Sequence, residues 1–309
     1  MNGKQTWIAV ILLVVLMIAG GAQARTLSVA PSGGDYPDLQ QALDAASSGD
    51  EIAVAAGIYP GGVIVAIPVT LSGVDGATIG TGDDTVALYV NANGVTLKNL
   101  ACTAAGADII ANRTEGFQAD GCRIISDDSG ILLTGCRESN VTNTEVTAQR
   151  TGIGISSCTG TTIARSRITA DGLGLSIGDS SNTTVTGTHI LGTEVGILAE
   201  NSAGCILTDT TFAGVGGAIL GIGITDSTIT GSVFSDVTQF IQFYAASGCQ
   251  VEVPSLQGPV YFAADIFSDT EYHCGPYTLS GQDVALLYEP YEAPEGYLLF
   301  GDAMNITFI

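Results

Sequence analysis

A 22-residue repeat is the feature of this sequence that most constrains its fold. Large aliphatic residues recur at one phase over seven successive units, and every step between them is 22 residues. A fixed period of this length is typical of stacked supersecondary units, each of which contacts only its neighbours. The members of this series are Ile109, Ile131, Ile153, Leu175, Ile197, Ile219 and Ile241.

Two further apolar series accompany the first. One begins at Val95, and the other begins five residues later, at Leu100. Each contains a single step of 24 residues, from Phe117 to Val141 and from Cys122 to Val146. We therefore expect one two-residue insertion, at residues 127–130. The two series are Val95, Phe117, Val141, Ile163, Val185, Leu207 and Ile229, and Leu100, Cys122, Val146, Ile168, Ile190, Phe212 and Phe234.

Each unit contains short strand-like segments without helical periodicity. Segments 152–155 and 184–187 are rich in Ile, Val and Thr and are bounded by turn residues. Three short strands per unit predict one coil of a parallel β-helix, with about 4.8 Å between coils. Connections between parallel strands are right-handed in nearly all proteins. The predicted fold is all-β, a right-handed single-stranded parallel β-helix of about ten coils, regular over residues 95–250.

The two ends of the repeat differ from its middle. Residues 37–46 have the apolar spacing of a short amphipathic helix, with Pro37 in the first turn. Because the terminal coil of a β-helix exposes unpaired strand edges, we expect this helix to cap the N-terminal end. The β-helix is predicted to span residues 25–256. Residues 257–309, where the period is lost, are predicted to form a C-terminal cap or a small β subdomain.

Residues 1–24 have the features of a secretory signal peptide. Lys4 precedes an apolar run of 12 residues, 7–18, and an A-x-A triplet follows at 22–24. We expect cleavage between Ala24 and Arg25. The apolar run is short for a membrane span, and no later run reaches the ~18 residues that a span needs. The mature chain is therefore predicted to be secreted or held at the cell surface, without spanning the membrane.

The chain is strongly acidic. It has 9 Lys and Arg against 31 Asp and Glu, which gives a net charge of −22. Such a charge repels phosphate groups and excludes nucleic acid as a partner. One interpretation is that the acidic surface only keeps the protein soluble, with no cofactor. The other is Ca²⁺ bridging by clustered carboxylates, with Asp83, Asp84, Asp127 and Asp128 as the candidate ligands.

Four Asn-x-Ser/Thr triplets occur in the predicted mature chain. In an exported protein these triplets are acceptor sites for N-linked glycans, although they also arise by chance in a Thr-rich chain. The candidate asparagines are Asn112, Asn140, Asn182 and Asn305.

The chain has seven cysteines, an odd number. Cys136 and Cys158 share a phase in adjacent coils, but their parallel Cβ directions keep the Cβ atoms too far apart for an easy disulfide. A disulfide bond between Cys249 and Cys274 in the C-terminal region is an alternative that the sequence leaves undecided. We expect most of the cysteines to be small buried residues of the stack.

The repeat phase also predicts one polar cluster. Glu145, Arg167 and His189 share a phase in consecutive coils, so they should stack on one outer face, with Arg165 beside Arg167 and Asp209 further along. The cluster is either a binding or catalytic patch or a solvated ladder of ion pairs. Glu145 and Asp209 are three coils apart, ~14 Å, too far for the carboxylate pair of a glycoside hydrolase, at ~5–9.5 Å.

The N-terminal part of the chain resembles pectate-lyase-like right-handed β-helix proteins. More narrowly, it is similar to exported archaeal and bacterial repeat proteins whose domain is of a carbohydrate-binding and sugar-hydrolysis type. The resemblance implies the β-helix fold and, as a partner, a polysaccharide or cell-surface glycan. It rests on the segments 35–43 (DYPDLQQAL), 49–52 (GDEI), 57–59 (GIY) and 69–73 (VTLSG).

Similar repeats also occur in the maturation family for the copper site of nitrous-oxide reductase. Copper sites need His, Met or Cys ligands grouped together. His189, His273 and Met304 are spread along the mature chain, and the sequence does not predict a copper site.

Two functions are consistent with these features. The first is a non-catalytic structural or glycan-binding protein, which the sequence favours because the turns are short and no polygalacturonase-like or lyase-like catalytic motif is found. The alternative is a polysaccharide lyase or glycoside hydrolase that acts on an extracellular polysaccharide, because the fold hosts enzymes and adhesins alike.

Overall fold

The computed structural model describes residues 24–74, 76–237 and 239–253, together with five strands between residues 255 and 308. Side chains are described for residues 24–74, 76–237 and 241–252. The predicted signal peptide, apart from Ala24, lies outside the described residues. In the described part of the chain, no helix is long and apolar enough to cross a membrane.

The described strands form the predicted parallel β-helix. Each coil contributes one strand to each of three parallel sheets, here called sheets 1, 2 and 3 in chain order. We call the turns between them the 1–2, 2–3 and 3–1 corners.

Sheet 1 has 13 strands. They are Thr26–Val29, Glu51–Val54, Thr70–Gly73, Thr96–Lys98, Gln118–Asp120, Asn140–Thr142, Thr162–Ala164, Thr184–Thr186, Ile206–Thr208, Thr228–Thr230, Ser247–Val253, Asp269–Cys274 and Ile306–Phe308.

Sheet 2 has 10 strands. They are Gly57–Tyr59, Ala77–Ile79, Ala101–Ala104, Arg123–Ser126, Glu145–Ala148, Arg167–Ala170, His189–Leu191, Thr211–Ala213, Val233–Ser235 and Ser255–Leu256.

Sheet 3 has 11 strands. They are Val63–Val65, Val86–Val90, Ala107–Asn112, Ser129–Thr134, Thr151–Ser156, Leu173–Gly178, Val195–Glu200, Gly217–Ile222, Gln239–Tyr244, Tyr261–Ala264 and Ala285–Leu287.

The strand register confirms the 22-residue period. Ile109 pairs with Ile131, and the series continues in register to Ile241 on sheet 3. The members of this series are buried and form one wall of the apolar core.

The predicted two-residue insertion at 127–130 is wrong. On sheet 1, Val141 pairs with Ala119, not with Phe117, and on sheet 2 Val146 pairs with Ile124, not with Cys122. The error arises because inward positions of a strand repeat every two residues. In the early coils, two successive inward positions of the strand are apolar, and in later coils only the second of them is. The apolar pattern in the sequence therefore shifts by two residues, although the length of the coil stays constant.

One helix, Leu39–Ala45, caps the N-terminal end and lies within the predicted range 37–46. Asp38 is its N-cap, and its carboxylate accepts a hydrogen bond from the Gln41 backbone N–H at 3.1 Å. The Gln40 side chain pairs with the backbone of Ile64, accepting from its N–H at 2.8 Å and donating to its carbonyl at 3.3 Å. The amide thereby covers the edge of the first sheet 3 strand.

Four of the strands after residue 257 continue sheets 1 and 3. Tyr261–Ala264 and Ala285–Leu287 add in parallel to sheet 3, and Asp269–Cys274 and Ile306–Phe308 add to sheet 1. The division into a β-helix ending at 256 and a distinct C-terminal cap stays a prediction.

Candidate functional site

The 1–2 corner turns by two residues in most coils, and its first residue adopts a left-handed backbone conformation. Its φ is near +50° at Asn99, Asn143, Arg165 and Asp209, and glycine occupies the position in the coils between. Asn, Asp and Gly tolerate this conformation best, so an arginine here is unusual. The turn directs the Arg165 side chain outward, where it is exposed.

The predicted polar cluster lies at this corner. Glu145 pairs in register with Arg167, and Arg167 with His189, at the first position of three successive sheet 2 strands. All three side chains are exposed. The structure therefore brings together the three residues that the sequence placed on one face.

Arg123 belongs to the same cluster and was missed by the sequence analysis. It pairs in register with Glu145, and its Nε lies 3.7 Å from the Glu145 carboxylate, with both side chains more than half exposed. An exposed ion pair of this kind stabilises by about 0–1 kcal/mol. The constant 22-residue step of the Ile109 series would have placed Arg123 correctly, since it allows no insertion between the two coils.

Arg165 and Arg167 have no ion-pair partner among the described residues. Arg165 donates through Nε to the Asn143 side-chain oxygen at 3.0 Å. Asp209, at the same turn position as Arg165, is two coils away, with Gly187 between them. Within 4 Å the cluster thus contains one ion pair, Arg123–Glu145, and the charge of Arg165 also helps to lower the pKa of Asp120.

Asp120 is the other acidic residue near these arginines. Its carboxylate accepts hydrogen bonds from the Thr142 hydroxyl at 2.7 Å and the Asn143 amide at 2.6 Å. These two hydrogen bonds lower the pKa of Asp120. A carboxylate with a lowered pKa stays ionised and is a weak base, so Asp120 is suited to orienting groups at the corner.

A groove of about 600 Å³ opens beside Arg123. Along the chain, three residues separate Gly73 from Ala77, whereas two separate Lys98 from Ala101 in the next coil. The lining of the groove includes Gly73, Val74, Thr78, Asn99, Gly121 and Arg123.

Three of the four candidate calcium ligands already have hydrogen-bond or ion-pair partners within the chain. Asp84 accepts three hydrogen bonds, from the backbone N–H and hydroxyl of Thr81 and from the Gly61 N–H, and these lower its pKa. Asp128 forms an ion pair with Arg150. Asp127 is exposed and accepts from the Gln149 side chain at 3.4 Å, and Asp83 is exposed as well.

Among the described residues, no group of three or more His, Cys, Asp or Glu side chains could hold a metal ion. The described carboxylates therefore do not form a calcium site, and calcium binding stays a prediction.

The predicted modification sites have different surroundings. Asn112 and Asn182 are exposed, and Asn140 is half-buried and donates to the Glu138 carbonyl at 3.4 Å. Asn305 lies outside the described residues. Ala24 and Arg25, which flank the predicted cleavage point, are both exposed. An exposed position suits glycan attachment or cleavage, and both stay predictions.

Cys136 and Cys158 lie at the 3–1 corner, and among the described cysteines they alone share a phase in consecutive coils. The Cys136 backbone N–H donates to the Cys158 sulfur at 3.2 Å. A hydrogen bond between the two side chains lowers the pKa of Cys136 and raises that of Cys158. The described cysteines are free thiols.

The sequence model of a protein family described as "Periplasmic copper-binding protein (NosD)" matches residues 43–248. This range covers two thirds of the chain. The chain belongs to the NosD family. No curated protein sequence matches it.

Solved structures share the fold with this NosD-family chain. A polygalacturonase from Erwinia carotovora ssp. carotovora superposes with a TM-score of 0.68 at 10% identity, over 93% of this chain and 96% of that one. An alginate lyase from Paenibacillus sp. str. FPU-7 gives 0.58 at 16% identity, over 91% and 99%. PfbA, a surface adhesin of Streptococcus pneumoniae, gives 0.50 at 10%, over 86% and 87%. At these identities the likeness shows the fold alone.

The NosD description names copper, but the described donors do not form a grouped copper site. His189 stacks between Arg167 and Thr211 without another copper-binding side chain beside it. Three or four grouped ligands, as copper(II) requires, do not occur in the described region. Cys136 and Cys158 are soft donors in adjacent coils, but both are buried and each sulfur donates to a backbone carbonyl, of Ala111 and Leu133 respectively. The side chain of His273, and Met304, lie outside the described residues.

Proposed function

We propose that this NosD-family chain is an exported, non-catalytic β-helix protein that binds an acidic glycan at the 1–2 corner. Export is supported by the signal-peptide features of residues 1–24 and by the periplasmic description of the family. A glycan ligand is supported by the solved relatives, whose titles name a polygalacturonase and an alginate lyase.

One observation carries the proposal: Arg165 and Arg167 are exposed, and neither forms an ion pair within 4 Å in the described structure. They belong to a chain with a net charge of −22, which repels anions over most of its surface. A cationic cluster is therefore the place where an anionic polymer can approach. The guanidinium group binds carboxylates through two parallel hydrogen bonds, which suits the carboxylates of uronic acids.

The groove next to Arg123 adds a surface for the sugar rings. Val74, more than half exposed, supplies an apolar contact, and Asn99 lies on the lining together with Arg123. Sugar-binding sites combine an apolar surface with a few oriented polar groups. The groove and the arginines together follow the 1–2 corner across several coils, as an extended polymer would require.

The same geometry favours binding without catalysis. Glu145 is half exposed and paired with Arg123, and Asp120 has a lowered pKa. Neither has the environment of a general acid, whose pKa must be raised towards neutrality. Asp209 is three coils from Glu145, ~14 Å, beyond the ~5–9.5 Å that separates the two carboxylates of a glycosidase.

The test is a panel of acidic and neutral polysaccharides, with and without Ca²⁺. Retention of the purified mature chain on polygalacturonate, alginate and dextran is measured, while unsaturated products and new reducing ends are monitored in the same samples. We expect retention on the acidic polymers and no product. Product formation that is lost in Arg167→Ala would overturn the non-catalytic assignment in favour of the alternative, a lyase or hydrolase.

A matched control separates the site from overall charge. The double variant Arg165→Ala/Arg167→Ala is compared with Arg113→Ala/Arg137→Ala, which removes two exposed arginines at the 3–1 corner. Arg113 has φ +53° and Arg165 has φ +49°, so each variant places one alanine in the same left-handed backbone conformation. We expect the first variant alone to lose retention. Equal losses in both variants would contradict the assigned site.

A further inference from the structure

The start of the β-helix is anchored by one residue, Arg25, which lies directly before the first strand, Thr26–Val29. Its backbone is held on both sides: the carbonyl accepts from the Glu51 N–H at 2.8 Å, and the N–H donates to the Asp50 carboxylate at 2.9 Å. Its guanidinium group donates to the same carboxylate and to the carbonyl of Ala45, the last residue of the capping helix. Arg25 therefore joins the first strand, the capping helix and the second strand of sheet 1.

The acceptor at this point, Asp50, is a buried carboxylate. Its side chain is 3% exposed, whereas the side chain of Arg25 is 55% exposed. One carboxylate oxygen accepts from the Arg25 backbone N–H, and the other accepts from the Arg25 guanidinium group and from the Ser47 N–H. A carboxylate is stable when buried only if donors or positive charges surround it, and here one residue at the start of the fold supplies most of them.

This arrangement lies at the predicted cleavage point. Ala24, the residue before Arg25, ends the A-x-A triplet and is exposed. Cleavage between the two residues turns the Arg25 backbone N–H into the terminal amino group of the mature chain. Because that nitrogen already lies 2.9 Å from an Asp50 oxygen, the new group can bind without rearrangement. An amino terminus is mostly protonated at pH 7, and a hydrogen bond between charged groups is about twice as strong as a neutral one.

We propose that removal of the signal peptide completes the N-terminal end of the β-helix, because the new Arg25 ammonium group forms an ion pair with the buried Asp50 carboxylate. A signal peptidase hydrolyses the peptide bond between Ala24 and Arg25: water gives its hydroxyl group to the Ala24 carbonyl carbon and a hydrogen to the Arg25 nitrogen, and the amine takes one proton from solvent. The mature chain is thereby more stable than its precursor, which has a neutral amide at this position. The proposal shares with the proposed function only the export of the chain, and it does not depend on glycan binding.

The first experiment locates the new terminus. The full chain, with residues 1–24 in place, is exported from a bacterial host, and the intact mass of the exported product is measured. We expect a chain that begins at Arg25. A product that begins at another residue would overturn the proposal, because its amino group would not lie at Asp50.

The second experiment compares two purified chains, one that begins at Arg25 and one that keeps residues 21–24 before it. The Arg25 nitrogen is an ammonium group in the first chain and an amide in the second. We expect the melting midpoint of the first chain to be ~2–4 °C higher at pH 7. Equal midpoints, or a lower midpoint for the chain that begins at Arg25, would overturn the proposal.

Variants of both chains assign the difference to Asp50. In Asp50→Asn the side chain keeps its size and loses its charge, so the two chains should melt at the same temperature. The matched control is Asp35→Asn, because Asp35 is a carboxylate at the same end of the molecule that accepts from the N–H and the hydroxyl of Ser28. The control should keep the full difference. A difference that survives Asp50→Asn, or that is lost in Asp35→Asn, would contradict the proposal.

Acylation of the amino group is a readout that needs no variant. An amine-directed reagent is applied at pH 7, and the exposed Lys98, the one lysine of the predicted mature chain, is the internal reference. Pairing with a carboxylate favours the protonated, unreactive form of an amine. Relative to Lys98, we therefore expect the Arg25 amine to react about tenfold more slowly than the terminal amine of the chain that begins at residue 21. Equal relative rates would show that the Arg25 amine is not paired.

Discussion

The N-terminal end of the β-helix and the interior of a later coil each bury one aspartate, and their surroundings are opposite. Asp50, 2% exposed, accepts hydrogen bonds from the Arg25 backbone N–H at 2.9 Å, the Arg25 guanidinium at 2.7 Å and the Ser47 N–H at 2.9 Å. Asp108, 0% exposed, has no hydrogen bond of standard geometry to either carboxylate oxygen in the described structure, and the backbone N–H groups of Ile125 and Ala104 offset the effect of its burial only in part.

The two carboxyl groups accordingly titrate in opposite directions. The hydrogen bonds and charge of Arg25 lower the pKa of Asp50 to about 2. Removal from water raises the pKa of Asp108 to about 8. Burial alone therefore does not decide the charge state of an acid in this fold, because the strength and charge of the nearby donors also matter.

The coils that follow Asp108 show how little room that position normally offers. Ala87, at the same phase one coil earlier, is buried, and the next four coils have glycine there: Gly130, Gly152, Gly174 and Gly196. A Cβ added at Gly152 would lie 2.3 Å from the Ile168 Cγ2 and 2.6 Å from the Gly174 carbonyl oxygen. The coils with glycine thus have no room for a side chain at the phase where one earlier coil holds a carboxyl group, and the coil after them accepts only the small Ala218.

The largest expected effect comes from closing that space. Gly152→Val forces a branched side chain into contact with Ile168 and with the backbone of the next coil, so we expect a loss of about 3 kcal/mol or more, or no folded protein. The free energy of unfolding in urea measures it. Gly178→Ala on the same sheet is the control, because nothing lies within 4 Å of its added Cβ. Equal stability of the two variants would show that the regular coils are not tightly packed.

The second effect concerns Asp50. In Asp50→Ala the Arg25 and Ser47 donors lose their acceptor, so we expect a clear drop in the urea midpoint, smaller than for Gly152→Val. Because the folded pKa of Asp50 is below its unfolded value, its contribution is present above pH ~4 and is lost as the pH falls towards about 2. Wild type and variant should converge at low pH. A constant difference between pH 5 and pH 2 would contradict the role of the ionised carboxylate.

The third effect has the opposite sign. Asp108→Ala restores the residue found at Ala87 and removes an unpaired buried acid, so we expect stabilisation by about 1–3 kcal/mol at pH 8. The folded pKa of Asp108 is above its unfolded value. Wild-type stability is therefore complete below pH ~4 and declines as the pH rises through about 8. Urea midpoints between pH 4 and 9 should show this decline in wild type and less of it in the variant. A destabilised variant at pH 8 would mean that the carboxyl has a partner.

The smallest effect on stability is expected at the 1–2 corner. Arg167 is exposed and unpaired in the described structure, so Arg167→Ala should change the free energy of unfolding by no more than about 0.5 kcal/mol. A loss above about 1 kcal/mol would indicate a structural role and weaken the assignment of this side chain to ligand binding.

The sequence predicted the coil length, the sheet 3 register and the N-terminal helix because these follow from periodic burial. It misplaced the early coils of sheets 1 and 2 by two residues, since Phe117 and Cys122 are as apolar as the residues that hold the true register. Arg123 was missed for that reason alone. The surroundings of Asp50 and Asp108 could not be predicted, because they depend on contacts between residues far apart in the chain and on backbone geometry at the corners.

The most direct test of the account is a titration of the purified mature chain with polygalacturonate, followed calorimetrically at two salt concentrations. We predict saturable, salt-sensitive binding that is abolished in Arg165→Ala/Arg167→Ala and kept in Arg113→Ala/Arg137→Ala. Binding of equal strength in all three proteins, or none in wild type, would contradict the assignment of the 1–2 corner as a site for acidic glycans.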